Sequence, residues 1–116
     1  MKKRPILLIV ITLLLAFLCI SAGPNVPKKL YVAPDPENPF QGTWYNSMII
    51  GTGYMHVIEG MKGSWYIKTS VSWKKQAVYI IKENDNGEYI TSNDWKISVN
   101  DNILTVESMT YERVIK

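Results

Sequence analysis

The chain has 116 residues, enough for one domain, and its single cysteine excludes an intramolecular disulfide, so that packing alone must hold the fold. The formal net charge of +3 comes from the three basic residues at positions 2–4. From residue 24 onward, the remaining ten Lys and Arg residues balance ten Asp and Glu residues, and the basic residues form only short local pairs. This charge pattern argues against a nucleic-acid-binding surface, and no nucleic-acid partner is expected.

The first twenty-two residues have the pattern of an export signal. A short basic start is followed by an apolar run over residues 6–20 and by the small residues 21–23. Such a run is typical of a signal peptide and falls short of the roughly 20 residues that span a bilayer. We therefore predict a signal peptide or membrane anchor over residues 1–22. Cleavage after Ser21 or Ala22 and retention as an anchor are the two alternatives.

Cys19 lies near the end of the apolar run, after Leu15-Ala16-Phe17-Leu18. This segment loosely resembles the processing box of bacterial lipoproteins, which implies a lipid-bearing cysteine. The alternative is an ordinary apolar cysteine within the signal. Membrane association through residues 5–22 is expected if the segment is uncleaved or if Cys19 is lipidated.

Residues 23–39 hold five of the six prolines and show no apolar periodicity. Each proline restricts its own backbone and favours extended geometry in the residue before it. The pattern predicts a semi-rigid linker between the signal and a domain at residues 40–116. The segment 30–32 is its one apolar patch, and we expect it to contact either that domain or a partner.

From residue 40 onward, short β-rich runs alternate with turn clusters rich in Asn, Asp and Gly, the residues that tight hairpins favour. No stretch there has helical spacing. An eight-strand meander is predicted, and closing it into a barrel would remove exposed sheet edges. The predicted strands are 43–50, 54–59, 64–73, 76–83, 88–92, 95–99, 103–107 and 110–115.

Alternation of apolar and polar residues predicts which side chains face the interior. We expect the interior to be packed with rings and to leave at most a shallow apolar mouth. Strand 76–83 is apolar on both faces, so that its outer side should be covered by the preceding segment, a partner or a membrane. The side chains predicted to point inward are Trp44, Trp65, Ile67, Thr69, Val71, Trp73, Tyr79, Trp95, Ile97 and Val99.

The run Phe40-Gln41-Gly42-Thr43-Trp44 resembles the opening strand of the calycin superfamily, which includes the lipocalins and fatty-acid-binding proteins. The resemblance implies that the tryptophan packs near a basic residue on the last strand, and Arg113 holds that position here. Gly42, Trp44 and Arg113 therefore form the expected structural signature. The short domain is most similar to the small exported lipocalin-like domains of bacteria, which implies an up-and-down barrel.

No pattern for catalysis or metal binding is found. His56 is the single histidine and alternates with Tyr54 and Ile58, as expected of a strand residue. One histidine without a second cysteine or a suitably spaced carboxylate cluster predicts no zinc or calcium site. No Gly-x-Ser-x-Gly elbow and no glycine-rich phosphate loop is present. We expect no catalytic residues, no metal and no cofactor.

The sequence thus predicts a non-enzymatic, exported binding module, located in the periplasm or on the outer face of the cytoplasmic membrane and secreted if cleaved. A small apolar ligand at the barrel mouth is expected, with Trp65, Trp73, Tyr79 and Trp95 as candidate contacts. The alternative is an envelope interaction or inhibitor protein whose protein partner meets the outer apolar face of strand 76–83.

Overall fold

The structure is a computed structural model, and it describes residues 26–46, 53–69 and 72–115. In these three ranges, no helix is long and apolar enough to cross a bilayer. The predicted features that lie outside the described residues are the signal or anchor segment 1–22 with Cys19, the first linker residues 23–25, the strand end 47–50 and Val71.

Eight antiparallel strands follow one another in chain order, and β8 returns to pair with β1. The prediction of an all-β, up-and-down closed barrel is therefore confirmed. A short 3-10 helix, Lys28–Leu30, precedes the barrel. The strands are β1 (Gly42–Asn46), β2 (Gly53–Glu59), β3 (Lys62–Lys68), β4 (Trp73–Glu83), β5 (Tyr89–Thr91), β6 (Lys96–Asn100), β7 (Ile103–Val106) and β8 (Met109–Arg113).

The barrel closes where the first strand meets the last. Trp44 lies opposite Arg113 and Tyr45 opposite Glu112 in the antiparallel pairing of β1 with β8. Among the described residues every strand has a neighbour on each side, although the pairing of β4 with β5 is limited to Ile81–Glu83 of the longer β4 strand. The predicted adjacency of the first and last strands is confirmed.

Alternating side chains of the strands fill the interior with one apolar core. Trp44, Ile58 and Leu104 have no exposed surface, and Tyr79 is only 1% exposed. Burial of this apolar surface provides the main driving force for folding, since no disulfide contributes. The buried core residues are Phe40, Trp44, Ile58, Tyr79, Ile81, Ile97, Leu104, Val106 and Tyr111.

Tight turns join the strands where Asn, Asp and Gly cluster. The left-handed backbone conformation is taken by Asp94, Asp101 and Glu107, with φ values of 64°, 56° and 55°. Asp tolerates this region better than most residues do, which agrees with its use at two of these three positions. These three residues lie in the turns between β5 and β6, between β6 and β7, and between β7 and β8, where turns were predicted.

The predicted orientation of Trp73 is wrong. The predicted strand 64–73 is broken, because β3 ends at Lys68 and Trp73 begins β4, opposite Lys68. Thr69, predicted to point inward, lies exposed between the two strands. Trp73 packs against the outside of the wall, with Tyr45 at a ring-centroid distance of 5.8 Å.

A register shift in β4 explains part of this difference. Trp65 pairs with Ala77 and Tyr66 with Lys75, so that Gln76 is an extra residue on β4. Such a bulge reverses the alternation of side chains along the strand. Alternation in the sequence could not reveal it.

Residues 26–41, here called the strap, run along the outside of the barrel until Phe40, near the end of the strap, enters the interior core. Val26 is 5% exposed and packs with Met55 and Val114 in a second apolar cluster. Thr43 Oγ1 donates to the Leu30 carbonyl at 2.7 Å and accepts from the Val32 amide at 2.8 Å. The apolar patch at 30–32 therefore contacts the barrel, one of the two outcomes expected for it. The predicted division at residues 39 and 40 stays a prediction.

Candidate functional site

One end of the barrel, here called the capped end, is closed by Trp44 and Arg113. Arg113 Cζ lies 4.1 Å from the Trp44 ring centroid, within cation–π distance. The guanidinium also donates to the carbonyl oxygens of Gln41 at 2.7 Å and Pro39 at 3.1 Å, and Nε donates to Asn102 Oδ1 at 3.0 Å. Burial lowers the pKa of Arg113, but an arginine remains protonated in proteins. This contact ties the last strand to the end of the strap.

Gly42 is required at the capped end for two reasons. Its φ of 149° lies in a region that side-chain-bearing residues rarely adopt. A Cβ atom added there would lie 2.7 Å from Arg113 Nη1. The structure therefore brings together Gly42, Trp44 and Arg113, the arrangement that the family resemblance implies. These three residues close one end of the barrel. A ligand-binding site would therefore have to be formed by other side chains of the interior.

The barrel interior contains a cluster of rings, here called the aromatic cluster: Tyr54, His56, Trp65, Tyr79, Trp95 and Tyr111. His56 stacks on Trp65 with ring centroids 6.4 Å apart and meets Tyr111 edge-on at 4.6 Å. Trp95 meets Trp65 at 5.8 Å and Tyr79 at 5.7 Å, both edge-on. Edge-to-face contacts at these distances stabilise aromatic groups beyond simple burial.

His56 is neutral at physiological pH. It is 1% exposed, and burial lowers its pKa from 6.5 to about 3. His56 Nδ1 lies 2.7 Å from the Tyr79 hydroxyl, and a neutral imidazole can accept that hydroxyl's proton in a hydrogen bond. A base with so low a pKa is poorly matched to proton transfer near pH 7, because general bases work best with a pKa near the operating pH. The pair is better suited to positioning rings than to catalysis.

The two buried tyrosines of the cluster are neutral as well. Burial raises the pKa of Tyr79 well above its usual range, with Tyr111 adding to the rise. Burial first, and Tyr54 second, raise the pKa of Tyr111 to about 12. The interior surface formed by these residues is therefore aromatic and uncharged, and it would favour an uncharged ligand over an ion.

Trp65 carries a buried donor without a partner. The indole N–H is close enough to the Tyr111 hydroxyl to oppose the rise in its pKa, but it does not reach hydrogen-bond geometry. Within the described residues, Trp65 Nε1 has no acceptor. A buried donor left unpaired costs about 1–3 kcal/mol, so an acceptor on a bound molecule would be stabilised there.

The structure brings three of the four predicted ligand contacts together. Trp65, Tyr79 and Trp95 meet in the aromatic cluster, and Tyr79 is buried, whereas both tryptophans are partly exposed. Trp65 and Trp95 therefore have some ring surface exposed to solvent, whereas Trp65 Nε1 itself is buried. Trp73 lies on the other side of the wall and does not join them. Its Nε1 is also buried without a partner among the described residues.

Sequence reasoning missed the part that His56 and Tyr111 play in this cluster. His56 was expected only as a strand residue, and β2 does contain it. The alternation of Tyr54, His56 and Ile58 was the available signal, because it places the histidine on the same face as two core residues. Tyr111 lies two residues before Arg113 and so on the same face of β8 as the expected partner of Trp44, a signal that was not used.

Residues able to hold a metal do not gather in the described ranges: no group of three or more His, Cys, Asp or Glu residues is found there. The fold and the cluster define an eight-strand antiparallel β-barrel with an uncharged aromatic interior. Comparison with family models, curated proteins and solved structures finds no match.

Proposed function

We propose that this protein is a non-enzymatic binding module whose barrel takes up a small, uncharged, mainly apolar ligand at the aromatic cluster. The observation that carries the proposal is the unpaired Trp65 Nε1 donor within a wall of neutral rings. An apolar molecule with one hydrogen-bond acceptor would bury ring surface and satisfy that donor together. Trp65 and Trp95 are the contacts nearest to solvent, and Tyr79 lies behind them.

Kinship with the small exported lipocalin-like domains of bacteria is part of the proposal. Contact of Trp44 with Arg113 at the junction of the first and last strands supports it, because the family resemblance implies that arrangement. The apolar run at residues 6–20 supports export to the periplasm or to the outer face of the cytoplasmic membrane. Secretion follows if that segment is cleaved.

Binding of N-phenyl-1-naphthylamine, an uncharged apolar fluorescent probe, tests the proposal. The full chain should enhance the probe's fluorescence, and Trp65→Phe should weaken its affinity at least threefold, because part of the ring surface that contacts the probe is lost. Trp73→Phe is the matched control and should bind as the wild type does, since Trp73 lies outside the wall. Equal affinities for both variants would refute binding at the aromatic cluster.

Native mass spectrometry of protein taken from its own host provides a second test. A copurifying mass that is reduced in Trp65→Phe would support binding at the aromatic cluster and would give the mass of the ligand. A bare polypeptide mass, together with no probe enhancement, would contradict a carrier role.

A second candidate function is contact with another component through the outer face of β4. Val78 is 46% exposed and Ile80 is 49% exposed, on a closed wall whose neighbouring outer surface is covered by the strap. Crosslinking in the cell envelope from a photoreactive residue at Val78 tests this function. Products with no attached component would contradict it.

A further inference from the structure

We propose that the outer face of β3 and β4 docks on an anionic lipid bilayer. The proposal rests on the second candidate function, contact through β4, and is independent of ligand binding inside the barrel. Three aliphatic side chains are exposed on or beside this face: Met61 at 38%, Val78 at 46% and Ile80 at 49%. Lys62 pairs with Ile80 in the β3–β4 register, which places a cation beside the apolar side chains.

A groove of about 340 Å³ continues this face toward the strap. Leu30 of the strap, Val57 of β2 and Val78 of β4 give it aliphatic walls. Tyr66 adds a ring, with Lys75 Nζ lying 5.8 Å from the ring centroid. Exposed apolar side chains on such a face can contact acyl chains next to the headgroups, as the apolar faces of surface-bound amphipathic helices do.

Lysines surround the groove. Lys29, Lys62 and Lys75 line it, with Glu59 as the one carboxylate among its lining residues. Within the described ranges, none of these three lysines has an ion pair with a carboxylate. Their charges are therefore free to meet anionic headgroups, and each lysine near such a surface changes the partition by about fivefold.

The charged residues of the described chain are also unevenly distributed, with most of the basic residues in the part that contains β3 and β4. Described residues 26–82 carry seven lysines and three carboxylates, whereas described residues 83–115 carry two basic residues and seven carboxylates. The near-neutral total therefore conceals a basic half, which contains the β3–β4 face, and an acidic half. An anionic surface would attract the first and repel the second, and so orient the domain.

A bilayer fits this face better than a protein or a second copy. Protein interfaces are depleted in lysine and enriched in tryptophan, tyrosine and arginine at their centres, which is the reverse of the exposed aliphatic and lysine side chains here. Two copies meeting through the same face would place lysine against lysine. If the apolar run 6–20 is retained in the membrane, the bilayer would also be present at high effective concentration.

Site-specific dyes on the full chain test the docking. An environment-sensitive dye is attached at Val78→Cys or, as the matched control, at Ile103→Cys, both in a Cys19→Ser background. Ile103 is 38% exposed on β7, opposite Glu112 in the acidic half. The chains are reconstituted in vesicles of phosphatidylcholine with 30% phosphatidylglycerol or of phosphatidylcholine alone. Because both chains carry the same apolar run, anchoring by that run affects both dyes equally.

The expected result is a blue shift of the Val78→Cys dye in the anionic vesicles only, and 0.5 M NaCl should reverse it. The double substitution Lys62→Glu with Lys75→Glu should lower the vesicle partition coefficient measured from this shift at least fivefold. The Ile103→Cys dye should not respond. Equal responses at both positions, no response at either, or the same shift in phosphatidylcholine alone would overturn the proposal. A shift that appears without vesicles as the protein is concentrated would assign the face to a second copy. A shift that requires a lipid-free envelope extract would assign it to a protein, and either outcome would also overturn bilayer docking.

Discussion

At the scale of single residues, His56 shows how burial sets the chemistry of a side chain. It is 1% exposed, in contact with the rings of Trp65, Tyr79 and Tyr111, and its pKa falls from 6.5 to about 3 because burial disfavours the charged form. The same burial keeps the neighbouring tyrosines protonated. The cluster therefore stays uncharged across the physiological pH range.

This burial predicts a pH dependence of stability. Since the folded pKa of His56 lies below its unfolded value of 6.5, the unfolded chain takes up the proton first as the pH falls. The contribution of His56 to the free energy of unfolding is fully present above about pH 6.5. It decreases as the pH falls toward 3, by about 1.4 kcal/mol per pH unit. Urea unfolding of the wild type should lose about 1–1.5 kcal/mol between pH 7.0 and pH 5.5.

His56→Gln is the control for that slope, because it removes the titrating group. Its free energy of unfolding should be lower than that of the wild type at pH 7.0 and should change little between pH 7.0 and pH 5.5. An equal fall in both proteins would show that another group is responsible.

Gly42 gives a second prediction at this scale. Gly42→Ala should lower the free energy of unfolding by about 1–3 kcal/mol, because a Cβ atom both strains the backbone and approaches Arg113 Nη1. Gly60→Ala is the matched control: Gly60 also has a positive φ, of 65°, but an added Cβ meets nothing within 4 Å. Chemical denaturation should show the larger loss for Gly42→Ala. The same loss in both would mean that the approach to Arg113 contributes nothing.

At the scale of elements, the strap and β1 depend on each other through Thr43. This side chain has no exposed surface and is hydrogen-bonded to the backbone of Leu30 and Val32. The strap in turn covers the outward-facing Met55, which is fully buried beneath it. Residues 26–41 thus contribute to the stability of the outer wall, in addition to connecting it to the preceding chain.

Thr43→Val tests this coupling while keeping the shape of the side chain. Loss of both hydrogen bonds should lower the free energy of unfolding by about 1–3 kcal/mol, and the Val32 amide should exchange with deuterium faster. Thr105→Val on β7 is the control, since the structure shows no side-chain hydrogen bond for Thr105 and its outer position is only partly buried. Unchanged exchange at Val32 would contradict the proposed role of Thr43.

At the scale of the whole molecule, Trp44 and Arg113 join the first strand of the barrel to the last. Trp44→Ala should lower the free energy of unfolding by about 3–5 kcal/mol, as expected for a fully buried tryptophan. Arg113→Ala should cost less, and a double-mutant cycle should give a coupling of about 0.5–2 kcal/mol between the two residues. Thermal and urea unfolding measure all three variants.

A Trp44→Ala variant that melts within a degree or two of the wild type would contradict burial of that ring. Trp73→Ala provides the comparison, because Trp73 is partly buried against the outer wall. Trp73→Ala should lower the free energy of unfolding by less than Trp44→Ala does.

The sequence by itself determined the eight strands and their antiparallel order, because alternation and turn residues act locally and a meander leaves few ways to close. The expected contact of Trp44 with Arg113 came from the family resemblance and not from these patterns. Only the tertiary structure decided that Trp73 lies outside the wall, since the bulge at Gln76 depends on strand pairing. It also decided that His56 and Tyr111 meet. These features arise when distant strands come into register, and spacing along one strand carries no information about its neighbours.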